Sequence, residues 1–208
     1  EHIDHIRGVG VLSRKYDLPV FATEGTWTAM EEKLGGVAAK NVRVLEPMQD
    51  FYLGGMNIMA FDIPHDAAQP VGYTIALGGA RFSVATDIGC VRENWLGAVA
   101  GSDAVVLESN YDPDMLRAGR YPYALKQRIL GRRGHLANDD AGRAAVELVR
   151  RGARQIILGH LSKENNFPAL AETCCTLALE GEGVRLGEDA SLRVAERDGL
   201  TGMFSVQM

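Results

Sequence analysis

The sequence predicts an α/β fold in which helices pack outside β-sheets, and three observations carry that expectation. Residues 71–77 and 81–86 alternate apolar with small or polar side chains on either side of Gly78-Gly79, the pattern of a β-hairpin. Two short apolar runs, 103–107 (DAVVL) and 155–158 (QIIL), lie between helical patterns and read as buried strands. Strand patterns dominate the first half of the chain and alternate with helical ones later, which fits a layered domain.

Ile6, Val9, Leu12 and Tyr16 share one helix face, so a helix is expected over 6–16, stopped by Pro19. Val20-Phe21-Ala22 reads as a short strand, and Thr23 can cap a helix over about 25–34 closed by Gly35-Gly36. Strands are expected at 42–45 and at 56–63, the latter ended by Pro64. In the hairpin, Phe82 and Val84 are expected to face inward. Later helices are expected at 92–100, 112–118, 122–130, 139–151 and 168–180, and the tail from Leu192 offers one or two strands. No internal repeat, linker or low-complexity segment interrupts them.

A chain of 208 residues suffices for one domain with a sizeable core, so 1–208 is read as a single domain. The 46% apolar content excludes dominant disorder, and no apolar run reaches the length of a membrane span. Net charge is −5, so nucleic acid is not held by bulk charge and any such binding needs a local basic patch. Cys90, Cys174 and Cys175 form no disulfide framework; they read as reduced, buried small side chains and point to the cytoplasm.

The polar residues have their own pattern. All five histidines fall at expected element ends: His2 and His5 before the first helix, His65 after 56–63, His135 before 139–151, His160 after 155–158. Asp87 ends the second hairpin strand and Glu108 ends 103–107. Ligands of layered α/β proteins gather beyond such strand ends. Pairing about Gly78-Gly79 sets Val71 opposite Thr86, so Asp87 falls beside Pro70 and the His65 loop. The opening Glu1-His2-Ile3-Asp4-His5 can feed two centres, or Asp4 can simply be a helix N-cap.

These residues resemble the metallo-β-lactamase fold, whose signature is H-x-H-x-D-H followed by a later His, an Asp ending a T-D strand and a His in a G-H-x-S turn. The resemblance covers the whole chain and implies an αββα sandwich lacking its first strands and first metal-binding His here. Segments 64–73 (PHDAAQPVGY), 86–89 (TDIG), 107–112 (LESNYD), 134–138 (GHLAN) and 158–166 (LGHLSKENN) look like the YycJ/WalJ branch of bacterial DNA exonucleases. Ala137 stands where that branch usually has Ser, which removes any hydroxyl role there.

The resemblance implies two divalent ions, Zn²⁺ or Mn²⁺, with His2 and His65 on the first, Asp4, His5 and His160 on the second, and Asp87 between. It implies phosphodiester hydrolysis, 5′→3′ on DNA, by a hydroxide shared between the ions, with Asp4 also in the catalytic set. By likeness to the RNase Z group, His135 protonates the leaving alkoxide and Glu108 orients and charges it; a carboxylate partner does raise a His pKa. The plain alternative makes Glu108 a helix cap and His135 a surface residue.

Between Arg117 and Arg133 lie six cations and no acid, a +6 stretch running into His135. Arg128, Arg132 and Arg133, with Asn138, are the candidate substrate contacts, reading the phosphate backbone rather than bases. Tyr121 and Tyr123 are candidates for base stacking. Such a run is otherwise a solvated helix face. Asn165 and Asn166 either support the His160 turn or cap the next helix. The competing functions are a small-molecule hydrolase of the same fold, acting on a lactam, thioester or cyclic phosphodiester, and a binding module with a degenerate metal site. The small-molecule hydrolase would need the metals but not the basic run.

Overall fold

The computed structural model describes residues 1–203. A seven-stranded mixed sheet organises the chain. Its strands are β3 (Asp50–Leu53), β4 (Met56–Asp62), β5 (Val71–Leu77), β6 (Ala80–Ala85), β7 (Ala104–Glu108), β8 (Gln155–Gly159) and β9 (Ser191–Val194), in that spatial order. From β3 to β6 neighbours are antiparallel; from β6 to β9 they are parallel. The switch follows from the connections. Two Gly-Gly turns and the 63–70 loop join the antiparallel neighbours, whereas the parallel ones are joined by helical crossovers. β1 (Val20–Ala22) and β2 (Val42–Val44) form a separate parallel pair.

The helices are α1 (Ile3–Ile6), α2 (Val9–Tyr16), α3 (Glu24–Met30), α4 (Glu93–Val99), α5 (Pro113–Ala118), α6 (Tyr123–Leu130), α7 (Asn138–Arg150) and α8 (Pro168–Gly181). α4, α7 and α8 cover one sheet face around Trp95, Leu107, Leu148, Ile156, Leu158 and Leu179, all at most 1% exposed. Alanines at 141, 144 and 145 let α7 lie close to the sheet and α8. Smaller cores gather around Trp27 under α3 and around Leu116 between α5 and α6. No described helix is long and apolar enough to cross a membrane.

The hairpin register is as expected: Tyr73 pairs Val84 and Leu77 pairs Ala80 across Gly78-Gly79, both at positive φ. Thr23 caps α3 by accepting the Thr26 N–H, and Gly35 ends the following turn in the left-handed region.

Two expectations need correction, one strand was not foreseen, and the tail is as expected. The helix over 6–16 breaks at Gly8, and Leu12 and Tyr16 are half-exposed; Gly10 and Ser13 are its buried positions instead. Phe82 and Val84 are only half-buried, and their neighbours Ser83 and Ala85 face the main core. There Ser83 Oγ hydrogen-bonds Thr74 Oγ1 at 2.9 Å and Ser102 Oγ at 2.7 Å, so the polar side of the alternation is satisfied internally. The sequence reading missed β3, although Gly54-Gly55 signals its hairpin as Gly78-Gly79 signals the next. The tail provides one described strand, β9, and residues 204–208 lie outside the described residues.

One close approach ties the fold to the rim above the sheet. A Cβ on Gly89 would sit 2.5 Å from the Arg132 carbonyl and 2.6 Å from Arg133 Cα. Backbone cannot yield as a flexible side chain can. Gly89→Ala is therefore expected to lose about 1–3 kcal/mol, read as a lower urea midpoint with an unaltered m-value.

Candidate metal centre

The five histidines converge at the strand-end rim. His2 is the N-cap position of α1 and His5 lies within it, so the two stand one helical turn apart on one face. No side-chain cap bond forms there, which removes the reading of Asp4 as an N-cap. His65 follows β4, and the Gly89 N–H donates to Pro64 O at 2.9 Å, joining the His65 loop to the Asp87 loop as the hairpin geometry implied. Asp87 and His160, one past β6 and one past β8, both hold φ near +56°. This left-handed conformation is uncommon for non-glycine residues and clusters at functional sites.

Two donor groups result. His65 Nε2 lies 3.2 Å from His2 Nδ1 and 3.5 Å from Asp66 Oδ1. Asp4 Oδ2 lies 3.6 Å from His5 Nε2 and 3.7 Å from His160 Nε2. Asp87 stands between them, with Oδ2 3.0 Å from His5 Nε2 and Oδ1 3.4 Å from His65 Nε2. A four-coordinate ion with bonds of about 2.0–2.2 Å spaces neighbouring ligand atoms roughly 3.3–3.6 Å apart, so these separations fit divalent ions. The imidazole and carboxylate donors suit Zn²⁺ and Mn²⁺ alike. Tautomers agree. His65 Nδ1–H donates to Gly134 O at 2.9 Å, leaving the Nε2 lone pair for the cavity. Asp66 lies beside the first group with both its oxygens already accepting from Arg128, and the sequence reading did not select it; its place directly after His65 was the available signal. Cys90 belongs to neither group and faces Arg132 O and the Arg92 guanidinium.

Glu108 is fully buried and saturated. Its Oε1 accepts from His135 Nδ1 at 2.8 Å and His160 Nδ1 at 2.7 Å; its Oε2 accepts the Ile88 and Leu136 N–H groups at 2.7 and 3.1 Å. The helix-cap reading fails, because Asp112 caps α5. His135 is 17% exposed, so it is no surface residue, and its Nε2 remains free. One carboxylate thus orients both the expected acid and a ligand of the second group. The second partner follows from register: Glu108 pairs Gly159 on adjacent parallel strands, one residue before His160.

Charge follows this geometry. Burial opposes ionisation of Asp87, yet the His5 hydrogen bond and the charges of His160 and His5 hold it far below the usual carboxylate range. Burial likewise opposes Glu108, and its two histidine bonds prevail and lower it. Burial keeps His65 below its ordinary value, so it is neutral near pH 7. The Asp87 hydrogen bond raises His5. Burial works against charge on His160, but Glu108, Asp87 and Asp4 raise it to about 9. A cation that took His160 as a ligand would have to displace that proton. Metal uptake at pH 7.5 is therefore expected to release roughly one proton or more per chain, measured by titration calorimetry in buffers of different ionisation enthalpy. Release should vanish above about pH 9. The same shift makes His160 stabilise the metal-free fold fully below pH 6.5 and not at all beyond about 9.

The rim sorts the candidate substrate contacts. Arg128 forms a bidentate pair with Asp66 and lines a cavity of about 520 Å³ with His2, Asp4, Asp87 and His135. Arg133 is exposed, and its guanidinium also donates to His65 O at 2.8 Å and Ala67 O at 3.3 Å, so it braces the His65 loop. Arg132 is exposed and has no side-chain partner among the described residues. Asn138 is a correction: it is fully buried, with Nδ2 donating to Asn166 Oδ1 at 3.0 Å and Oδ1 accepting from Asn166 Nδ2 and Ser109 Oγ, so it cannot touch substrate. Asn166 both supports this pair and accepts the Phe167 N–H before α8. Tyr121 packs against the Leu116 core, whereas Tyr123 is exposed.

A fold of this topology with a His/Asp centre at its strand ends is a metal-dependent hydrolase site, and a beta-lactamase superfamily domain matches residues 1–161. The chain is 40% identical over 188 residues to the exodeoxyribonuclease YycJ of Bacillus anthracis, covering 90% of this chain and 71% of that one. It is 36% identical over 208 residues to the exodeoxyribonuclease WalJ of Streptococcus pneumoniae, covering 99% and 77%. The metallo-β-lactamase fold protein YhfI from Bacillus subtilis superimposes with a TM-score of 0.64 at 15% identity, over 94% of this chain and 70% of that one. The chain belongs to the YycJ/WalJ family of the metallo-β-lactamase superfamily and is a metal-dependent hydrolase.

Proposed function

We propose that the chain degrades DNA as a 5′→3′ exonuclease with two divalent ions, Zn²⁺ or Mn²⁺. The carrying observation is the pair of donor groups meeting at Asp87, with His135 oriented beside them by Glu108. The exodeoxyribonuclease names of the relatives supply the substrate. His2 and His65 would hold the first ion, Asp4, His5 and His160 the second, and Asp87 both. When bound, such ions lower the pKa of water toward 7 and neutralise charge growing on phosphate.

The chain's own groups do the rest. Glu108 fixes His135 with Nδ1–H pointing inward, so Nε2 faces the cavity and delivers a proton to the leaving alkoxide. Asp4 is 61% exposed at the mouth and takes up the proton lost by the attacking water. Arg128 and Arg132 bring positive charge to the phosphate backbone, in a chain of net charge −5. A small-molecule substrate would have no use for that side of the rim.

Duplex DNA labelled at either 5′ or 3′ ends, incubated with Mn²⁺ or Zn²⁺, tests the reading. The 5′ label is expected to leave first as a mononucleotide. Prior loss of the 3′ label would reverse the polarity, and intact DNA across metals would end the nuclease reading.

A further inference from the structure

Of the six cations between Arg117 and Arg133, one is both fixed and placed at the cavity. Arg117 pairs with Asp114 on the α5 surface. Lys126 donates to the Arg117 carbonyl, Arg133 braces carbonyls, and the side chains of Arg120 and Arg132 have no partner among the described residues. Arg128 alone reaches across from α6 to the metal side, where Asp66 accepts from both its Nε and its Nη2. That fork leaves Nη1 unused, and the Arg128 side chain is 47% exposed. Asp66 in turn is anchored by its chain position after His65, whose ring is fixed by Gly134 O and whose carbonyl is held by Arg133. Its Oδ1 also lies 3.7 Å from His2 Nε2.

We propose that Asp66 is a positioning residue: it presents the Arg128 guanidinium, with Nη1 free, to a phosphate oxygen of the substrate on the His2/His65 side of the cavity. This rests on the nuclease reading and deepens it. A guanidinium already locked in a planar fork loses little freedom on gripping a phosphate, whereas Arg120 and Arg132 must be ordered first. The fixed arginine therefore contributes to alignment, and the loose ones to capture. Alignment enters kcat, because a misplaced phosphate misses the attacking geometry; capture enters KM and the salt dependence of binding. Lysine cannot replace Arg128 here, since a single ammonium cannot span both Asp66 oxygens.

Three measurements test this. In a nuclease assay, Asp66→Asn is expected to lower kcat about tenfold with KM within about twofold and bound metal, by elemental analysis, unchanged. Arg128→Lys should do the same. The double variant Asp66→Asn/Arg128→Ala should be no slower than Arg128→Ala alone, because Asp66 then has nothing to present. Independently of activity, anisotropy of a fluorescein-labelled oligonucleotide in EDTA should show that Arg128→Ala flattens the log Kd against log salt slope by about one, while Asp66→Asn leaves it in place. A further loss in the double variant, or a loss of metal in Asp66→Asn, would make Asp66 a ligand and overturn the proposal. So would an unchanged slope in Arg128→Ala. DNA left intact by the unsubstituted protein would sink the nuclease reading, and the anisotropy arm would still judge the Arg128 contact. Thermal melts of each variant separate these effects from misfolding.

Discussion

Asp87→Ala is expected to abolish activity, with a fall of at least about 10³-fold, and to leave the protein short of metal. Four histidines crowd this one side chain. His5, His65, His135 and His160 all lie within 3.9 Å of its carboxylate. Both donor groups lose their common member, and the two halves of the centre are left as facing imidazoles. Asp87→Asn keeps the shape but removes the charge that offsets the cations, so it should fall between the two. Elemental analysis beside the nuclease assay checks the result. A variant that keeps full metal content and wild-type kcat would refute a role for Asp87 at the centre.

Glu108→Ala should damage stability and rate together. Four donors converge on this carboxylate: two imidazole N–H groups and the Ile88 and Leu136 amides. Removing it strands all four in a dry interior, at a cost of about 3–5 kcal/mol. Glu108→Gln separates the two effects. Its amide places a donor where two acceptor oxygens served four N–H groups, so the cost is smaller, yet the charge that orients and loads His135 is gone. A kcat loss of about 10²–10⁴-fold is expected for Gln, with a fold that still melts cooperatively. The sign with pH follows from the depressed Glu108: its contribution to stability is present above the ordinary carboxylate pKa and fades as pH falls through the lowered one. Urea unfolding between pH 3 and 7 should therefore give a shallower acid decline for Glu108→Gln than for the unsubstituted chain.

Much of this centre was legible because strand ends are legible. Alternation around Gly78-Gly79 sets a register, and register places Asp87 beside the His65 loop. The short apolar runs at β7 and β8 likewise put Glu108 and His160 at neighbouring ends. What escaped the sequence were contacts that depend on direction rather than position. Asn138 carries a polar amide before a helix, a surface signature, yet its partner Asn166 comes from a turn 28 residues later and buries it. Arg133 and Arg128 look alike in the chain, but one turns to carbonyls and the other to a carboxylate. Leu12 and Tyr16 keep helical spacing without a neighbour to cover them.

The backbone at Asp87 and His160 has a consequence for how this chain tolerates change. Both sit in the left-handed region, where glycine or asparagine would relax the peptide and neither would replace the donor that is lost. Selection for folding alone would let these two sites drift toward such residues, while selection for turnover would hold them. The centre is thus kept against a local conformational preference, and a library sorted first for foldedness and then for cleavage would reveal that conflict as opposite enrichments at the same two codons.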